Sequence, residues 1–242
     1  MWDSGRWKEW RLVVKLDPDK HLPRESVDLI RQENIDAVVV GGTQGINYRN
    51  TSETVRLVRE AGFKGTLVQE ISSADAVVPW VDAHLIPLVL NAGEKRWLVD
   101  AQLGAIKMYG NLINWDRVLV EGYLVGNLDS AVGRLTGALP LAAGEAAAYT
   151  ILAEEIYRLP VLYLEYSGVF GDLDLVREVA GARRKIHLVY GGGIKTPQQA
   201  GAVASLVDTV VIGNIIYEDP ALAGEVIRSF SVCRGPVQIP GP

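Results

Sequence analysis

Residues 188–197 read LVYGGGIKTP: an apolar run, three consecutive glycines at Gly191, Gly192 and Gly193, and then Ile, Lys, Thr and Pro. Residues 209–214, TVVIGN, repeat the order of apolar run followed by glycine. An isolated glycine run is compatible with a tight turn and nothing more. Two glycine-bearing strand ends in succession say more, because in a parallel barrel the C-terminal strand ends carry the chemistry. A phosphate site there often follows strands seven and eight. Without Cβ atoms in the way, several backbone N–H groups can converge on an anion.

The remainder of the chain supplies the other strands. RLVVKL (11–16), DAVVVGG (36–42), TLVQEI (66–71), HLIPLVL (84–90), VEGYLVGN (120–127), VLYLEY (161–166) and IHLVYGG (186–192) join TVVIGN to make about eight candidates. Continuous apolar runs of this length suit parallel strands covered on both faces. Segments with helical spacing lie between them, at 25–34, 51–62, 94–110, 145–159, 173–182, 197–206 and 220–230, with Thr51 and Pro197 as helix-start residues. The predicted fold is α/β, a modified TIM (β/α)8 barrel. Its irregularity is Ser72–Asp82, SSADAVVPWVD, which is too short for a crossover helix and contains Pro79. One outer helix is therefore expected to be replaced by a loop after strand 3, and the exposed flank to need cover from a partner chain or mobile structure.

Composition is consistent with one domain. The chain has 242 residues, 48% of them hydrophobic, with a formal net charge of −5. Residues 1–230 read as a single barrel domain and 231–242, rich in Pro and Gly, as a disordered tail. The acidic balance gives no reason to expect nucleic-acid binding. Cys233 is the single cysteine, which excludes an intrachain disulfide and a cysteine metal cage. The N-terminus is interrupted by Arg6, Lys8, Glu9 and Arg11, and no apolar run approaches the roughly 20 residues of a membrane span. A soluble, cytoplasmic protein is the expectation.

The strand ends are rich in polar groups. Lys15 and Asp17, two apart, share one side of the first strand. They could form a simple ion pair, or a phosphate contact beside a cation site. Thr43 in GGTQG offers a hydroxyl after the second strand. In YLEYSG, alternation puts Tyr163 and Glu165 on one face and Leu164 and Tyr166 on the other. A glutamate in so apolar a strand is costly to bury unless it is paired or functional. Glu70 and Asn91 are weaker members of the same rim. Glu121 and Tyr123 could also face inward, with no role assigned.

Taken together and in order, VKLDPDK, GGTQG, IPLVLNA, EGYLVGNLDS, YLEYSGVFG, YGGGI and VIGNIIYED resemble the geranylgeranylglyceryl phosphate synthase family, which includes the bacterial PcrB-type heptaprenylglyceryl phosphate synthases. The resemblance implies a TIM barrel lacking one outer helix and a magnesium-dependent transfer of a prenyl group from its diphosphate to the C3 hydroxyl of sn-glycerol 1-phosphate. It implies that Lys15 contacts the glycerol phosphate and that Asp17 and Thr43 bind Mg2+. Tyr163, Leu164, Glu165, Tyr166, Ser167 and Gly168, with Gly193, Gly213 and Asn214, would hold sn-glycerol 1-phosphate. Thr43, Leu128 and Ala92 depart from residues frequent in relatives, and Thr43 retains the hydroxyl.

The residues and the resemblance converge on metal-assisted ionisation of a polyprenyl diphosphate, with attack by a positioned hydroxyl and Glu165 as base or orienting acceptor. In relatives with a geranylgeranyl product a bulky residue stops the lipid groove in the helix after strand four. Ala105 aligns there, which favours heptaprenyl over geranylgeranyl diphosphate. A homodimer and transient membrane contact are further expectations. The alternatives are another phosphate-binding barrel enzyme and a non-catalytic phosphate or lipid binder. Aldolase chemistry would ask for a Schiff-base lysine inside the barrel, and none is identifiable.

Overall fold

The computed structural model describes residues 5–232. In chain order the strands are β1 (Leu12–Leu16), β2 (Ala37–Val40), β3 (Thr66–Glu70), β4 (Ala83–Val89), β5 (Val118–Val125), β6 (Val161–Glu165), β7 (His187–Gly191) and β8 (Thr209–Ile212). Each pairs in parallel with the next, and β8 pairs with β1 to close the barrel. The helices are α1 (Arg24–Gln32), α2 (Tyr48–Glu60), α3 (Asp100–Tyr109), α4 (Ala131–Thr136), α5 (Ala143–Ile151), α6 (Leu173–Ala182), α7 (Pro197–Ala204), α8 (Ile215–Glu218) and α9 (Pro220–Val232). The expected tail at 231–242 lies outside the described residues, apart from the two that continue α9.

The strands are mostly apolar on both faces because there are two cores. Val13, Val39, Tyr123, Tyr163 and Val211 fill the barrel. Their neighbours Val14, Val40, Leu124, Leu164 and Ile212 pack outward against the helices. A one-residue slip would exchange the two sets, so the period-two pattern fixes which polar groups enter the barrel.

Two helix starts illustrate local control. Pro197 is the first residue of α7, and Thr196 caps it by accepting from the Gln199 N–H at 3.2 Å. For α2 the expectation at Thr51 is corrected. Asn47 accepts from the Asn50 N–H at 3.1 Å and Asn50 accepts from the Asn47 N–H at 2.9 Å, so this reciprocal box starts the helix at Tyr48. Thr51 is buried in the first turn.

The connection from β3 to β4 contains only a short turn at Ala74–Ala76, in agreement with the predicted loss of an outer helix. The expected cover comes from a different source, however. Gln69 donates to the Ala76 carbonyl at 2.8 Å and accepts from the Val78 N–H at 2.9 Å. His84 Nε2 lies 2.9 Å from the Val78 carbonyl. These bonds hold Val78 and Val81 in the outer core, so the loop itself covers β3. On β4, Ile86 and Leu88 remain half-buried.

The opposite end of the barrel is closed by the N-terminal segment. Trp7, in a turn at Arg6–Glu9, and Trp10 are buried inside with Val13 and Val39.

Candidate active site

The carboxyl ends of the strands surround a cavity of about 620 Å³. Lys15, Asp17, Thr43, Tyr163, Glu165, Ser167, Gly168, Gly193, Gly213 and Asn214 all line it. Leu164 and Tyr166 do not, because alternation turns their side chains into the outer core, and they can offer the cavity only backbone. Ala105, on α3, also lies outside the lining, one helical turn beyond Ala101, which is part of it.

At the floor, Lys15 is paired with Glu70 and not with Asp17. Its Nζ donates to both Glu70 oxygens at 2.8 Å and lies 3.3 Å from the Tyr123 hydroxyl, which itself donates to Glu70. The Tyr123 and Tyr163 rings stack with centroids 4.5 Å apart and 7° between planes. The ammonium lies 5.5 Å from the Tyr163 ring centre. Burial opposes the charge on Lys15, but Glu70 first, and then Glu165, outweigh it and hold the group above the ordinary lysine value. A lysine therefore stands inside the barrel, but without the character of a Schiff-base lysine. It is kept protonated, whereas an imine-forming lysine must lose its proton readily.

Glu165 ends β6, 3% exposed, and accepts from the Ser167 N–H at 2.6 Å. Burial raises its pKa above the ordinary carboxylate value, Lys15 and Ser167 pull against that, and Glu70 adds to the rise. The result is a carboxylate with a stronger hold on a proton than a solvated one.

The glycines after β7 now have a physical cause. A Cβ on Gly191 would lie 2.0 Å from the Tyr163 hydroxyl. Gly193 has φ +50°, and a Cβ there would meet the Val169 and Phe170 backbone at 2.1 and 2.2 Å. Packing of β6 and its following loop thus requires both, and both leave bare backbone on the cavity wall.

Across the cavity, Asp17 Oδ1 accepts from the Asp19 N–H at 3.1 Å, and Oδ2 is 3.9 Å from Lys20 Nζ. A Cβ on Gly42 would come within 2.5 Å of Asp17 Oδ1, so the loop that carries Thr43 is pressed against this carboxylate. Lys20 ties β1 to β8 by donating to Asn214 Oδ1 at 2.9 Å. Among the described residues no group of three or more His, Cys, Asp or Glu side chains could hold a metal. One carboxylate and one hydroxyl are hard donors in small number. They fit Mg2+, which keeps much of its shell for water and phosphate oxygens, and they do not fit a metal caged by protein.

The lining from β4 to α4 holds an apolar cluster, Pro87, Val89, Trp97, Ala101, Val132 and Leu135, with Gln102, Ser130 and Thr136 among it. Sequence reasoning left Glu70, Tyr123 and Glu121 without roles, although each sits at an inward position set by alternation. Asn91 is a backbone clamp: its amide donates to Val125 O at 3.0 Å and Leu139 O at 2.8 Å and accepts from Val125 N–H at 3.0 Å.

Comparisons with known proteins bear on the chain as a whole. The PcrB family model matches residues 5–231. The chain is 44% identical over 214 residues to a heptaprenylglyceryl phosphate synthase of Brevibacillus brevis, covering 88% of this chain and 92% of that protein. It is 40% identical to one from a Geobacillus species, with 88% and 92% covered. Among solved structures, (S)-3-O-geranylgeranylglyceryl phosphate synthase from Thermoplasma acidophilum, in complex with sn-glycerol-1-phosphate, superposes with a TM-score of 0.79. At 22% identity, covering 93% of this chain and 94% of that one, it shows a shared fold.

Proposed function

Because the chain belongs to the PcrB family, we propose that it is a prenyltransferase that joins a long prenyl group, heptaprenyl in preference to geranylgeranyl, to the C3 hydroxyl of sn-glycerol 1-phosphate in ether-lipid synthesis. The observation that carries the reading is the division of one cavity into two walls. Bare glycine backbone and Glu165 face one side, and Trp97, Ala101, Val132 and Leu135 line the other. Such a cavity suits a polar acceptor and an apolar donor.

In this reading Gly193, Gly213 and Asn214 hold the acceptor phosphate. Glu165 orients the C3 hydroxyl and receives its proton as the C–O bond forms and the prenyl–diphosphate bond breaks. Lys15, fixed by Glu70, keeps a positive charge beside the anionic acceptor and under Glu165. Asp17 and Thr43 would hold Mg2+, which when bound neutralises the departing diphosphate. The apolar wall orients the tail and excludes water from the allylic carbon. A Schiff-base barrel enzyme is disfavoured by the protonated state of Lys15. Exposed Leu103, Met108 and Leu112 on and after α3 supply apolar surface for the expected homodimer or for transient membrane contact.

Product analysis tests the proposal. The purified chain is given sn-glycerol 1-phosphate, Mg2+ and a mixture of heptaprenyl and geranylgeranyl diphosphates, with sn-glycerol 3-phosphate and chelator as controls. Heptaprenylglyceryl phosphate formed only from the first isomer, and only with metal, is the expected result. A geranylgeranyl product overturns the donor assignment, and no product overturns the reaction.

A further inference from the structure

Among the described residues, three glutamates enter the barrel and one lysine faces them. Glu70, Glu121 and Glu165 are 7%, 4% and 3% exposed. Lys15 from β1 is the cation among them, and its ammonium is engaged by both oxygens of Glu70. Glu165 has the Ser167 N–H. Glu121, from β5, is left over: its Oε2 is buried without a hydrogen-bond partner. It faces an internal cavity of about 30 Å³ below the large one, whose titratable lining is completed by Lys15, Glu70, Tyr163 and His187. The His187 ring is held neutral, with its Nε2 2.7 Å from Thr209 Oγ1. Tyr123 and Tyr163 are pushed well above the ordinary tyrosine range and are neutral too.

Were all three carboxylates ionised, this buried floor would carry two uncompensated negative charges, and such groups take up protons instead. Glu70 and Glu165 each have a donor that favours the charged form. Glu121 has none to spare for Oε2.

We propose that Glu121 carries a proton throughout the catalytic cycle and serves as a positioning residue, a neutral hydrogen-bonding group that sets the charge against which Glu165 works. Burial first, and then Glu70 and Glu165, favour the protonated form, with Lys15 opposing. The small cavity exceeds the roughly 10–15 Å³ that a water needs, so the carboxyl proton has room for an acceptor. With Glu121 neutral, the floor starts at one net negative charge. It reaches neutrality when Glu165 receives the hydroxyl proton, and Glu70 then favours that transfer. The inference rests on the proposed role of Glu165 for its consequence, but not for the protonation state itself.

Two measurements on the full chain test it. In infrared absorption spectra taken above neutral pH, the wild type should show a protonated-carboxyl band that Glu121→Gln abolishes and Glu165→Gln leaves in place. Absence of the band, or its survival in Glu121→Gln, overturns the proposal whether or not the protein transfers prenyl groups. Glu121→Ala should admit water and move the acidic limb of the kcat/KM profile down by about one pH unit as Glu165 becomes solvated. Glu121→Gln should restore the wild-type limb. A limb moved by Glu121→Gln itself would mean that Glu121 is ionised, and loss of turnover in that variant would mean that it is the base. Either result overturns the proposal. Loss of turnover in wild type with every donor would count against the reaction and leave the infrared result to decide the protonation state.

Discussion

Glu165 joins burial, charge and catalysis in a single side chain. If it receives the hydroxyl proton, Glu165→Gln should lower kcat by about 10²- to 10⁴-fold while binding of sn-glycerol 1-phosphate, followed by calorimetry, changes little. Its pKa is raised, with burial as the leading cause, and the base must be ionised to act. Activity should therefore fall as pH drops through that raised value, so the acidic limb of kcat/KM should lie above the ordinary glutamate range near about 4.3. A limb at or below that value would remove Glu165 from this role. Lys15 has a related dependence on its neighbour. Glu70→Gln frees the ammonium to approach Glu165, which should move the same limb downward.

At the next level, α3 decides the length of the donor. Ala105 shares the cavity face of that helix with Ala101, four positions earlier, but stands just outside the lining. A Trp at 105 would project into the path of a tail leaving past Ala101. Ala105→Trp should thus favour geranylgeranyl over heptaprenyl diphosphate in a competition assay, and unchanged preference would discard this ruler. A second element has a purely structural task. The last turn of α5 widens into a π-helical turn at Leu152–Ile156, which carries Glu154 to the start of β7. There Glu154 accepts from the Arg184 and Lys185 N–H groups at 2.8 and 2.6 Å. Glu154→Ala should cost about 1–3 kcal/mol in urea unfolding without altering KM. What could be read from the sequence followed from the same physics. The eight strands and the side to which Glu165 points were legible, because parallel strands need two apolar faces and alternation fixes the pleat. The Lys15–Glu70 pair was not, since it joins residues 55 positions apart across a barrel interior that one-dimensional spacing does not encode. Nor were the start of α2, set by two asparagines, and the self-covering loop after β3, set by Gln69.

For the molecule as a whole, the end of the barrel opposite the cavity governs acid tolerance. Thr209 donates to the Trp10 carbonyl at 2.6 Å and meets His187 Nε2 at 2.7 Å, while Trp7 packs edge-on against the His187 ring at 5.3 Å. Burial lowers the His187 pKa to about 4; Asp208 opposes this, and Arg183, Arg11 and Lys8 add to it. The unfolded chain binds this proton near 6.5 and the folded chain refuses it until about 4, so the unfolded state holds more protons between these values. Stability should accordingly decline as pH falls through that window, by on the order of 3 kcal/mol from this group. Urea unfolding as a function of pH would show the slope, and His187→Gln should flatten it.

The same N-terminal closure constrains how the chain comes together. Strand β1 is made first yet has β8 as one of its two neighbours, and the carbonyl of Trp10 waits for a hydroxyl nearly 200 positions later. During synthesis, every intermediate that ends before Thr209 has two open sheet edges and an unsealed interior. The opening and closing stretches of the protein are therefore a single joint, and a nascent chain stalled before Thr209 should be the form most exposed to chaperones and to edge-to-edge association.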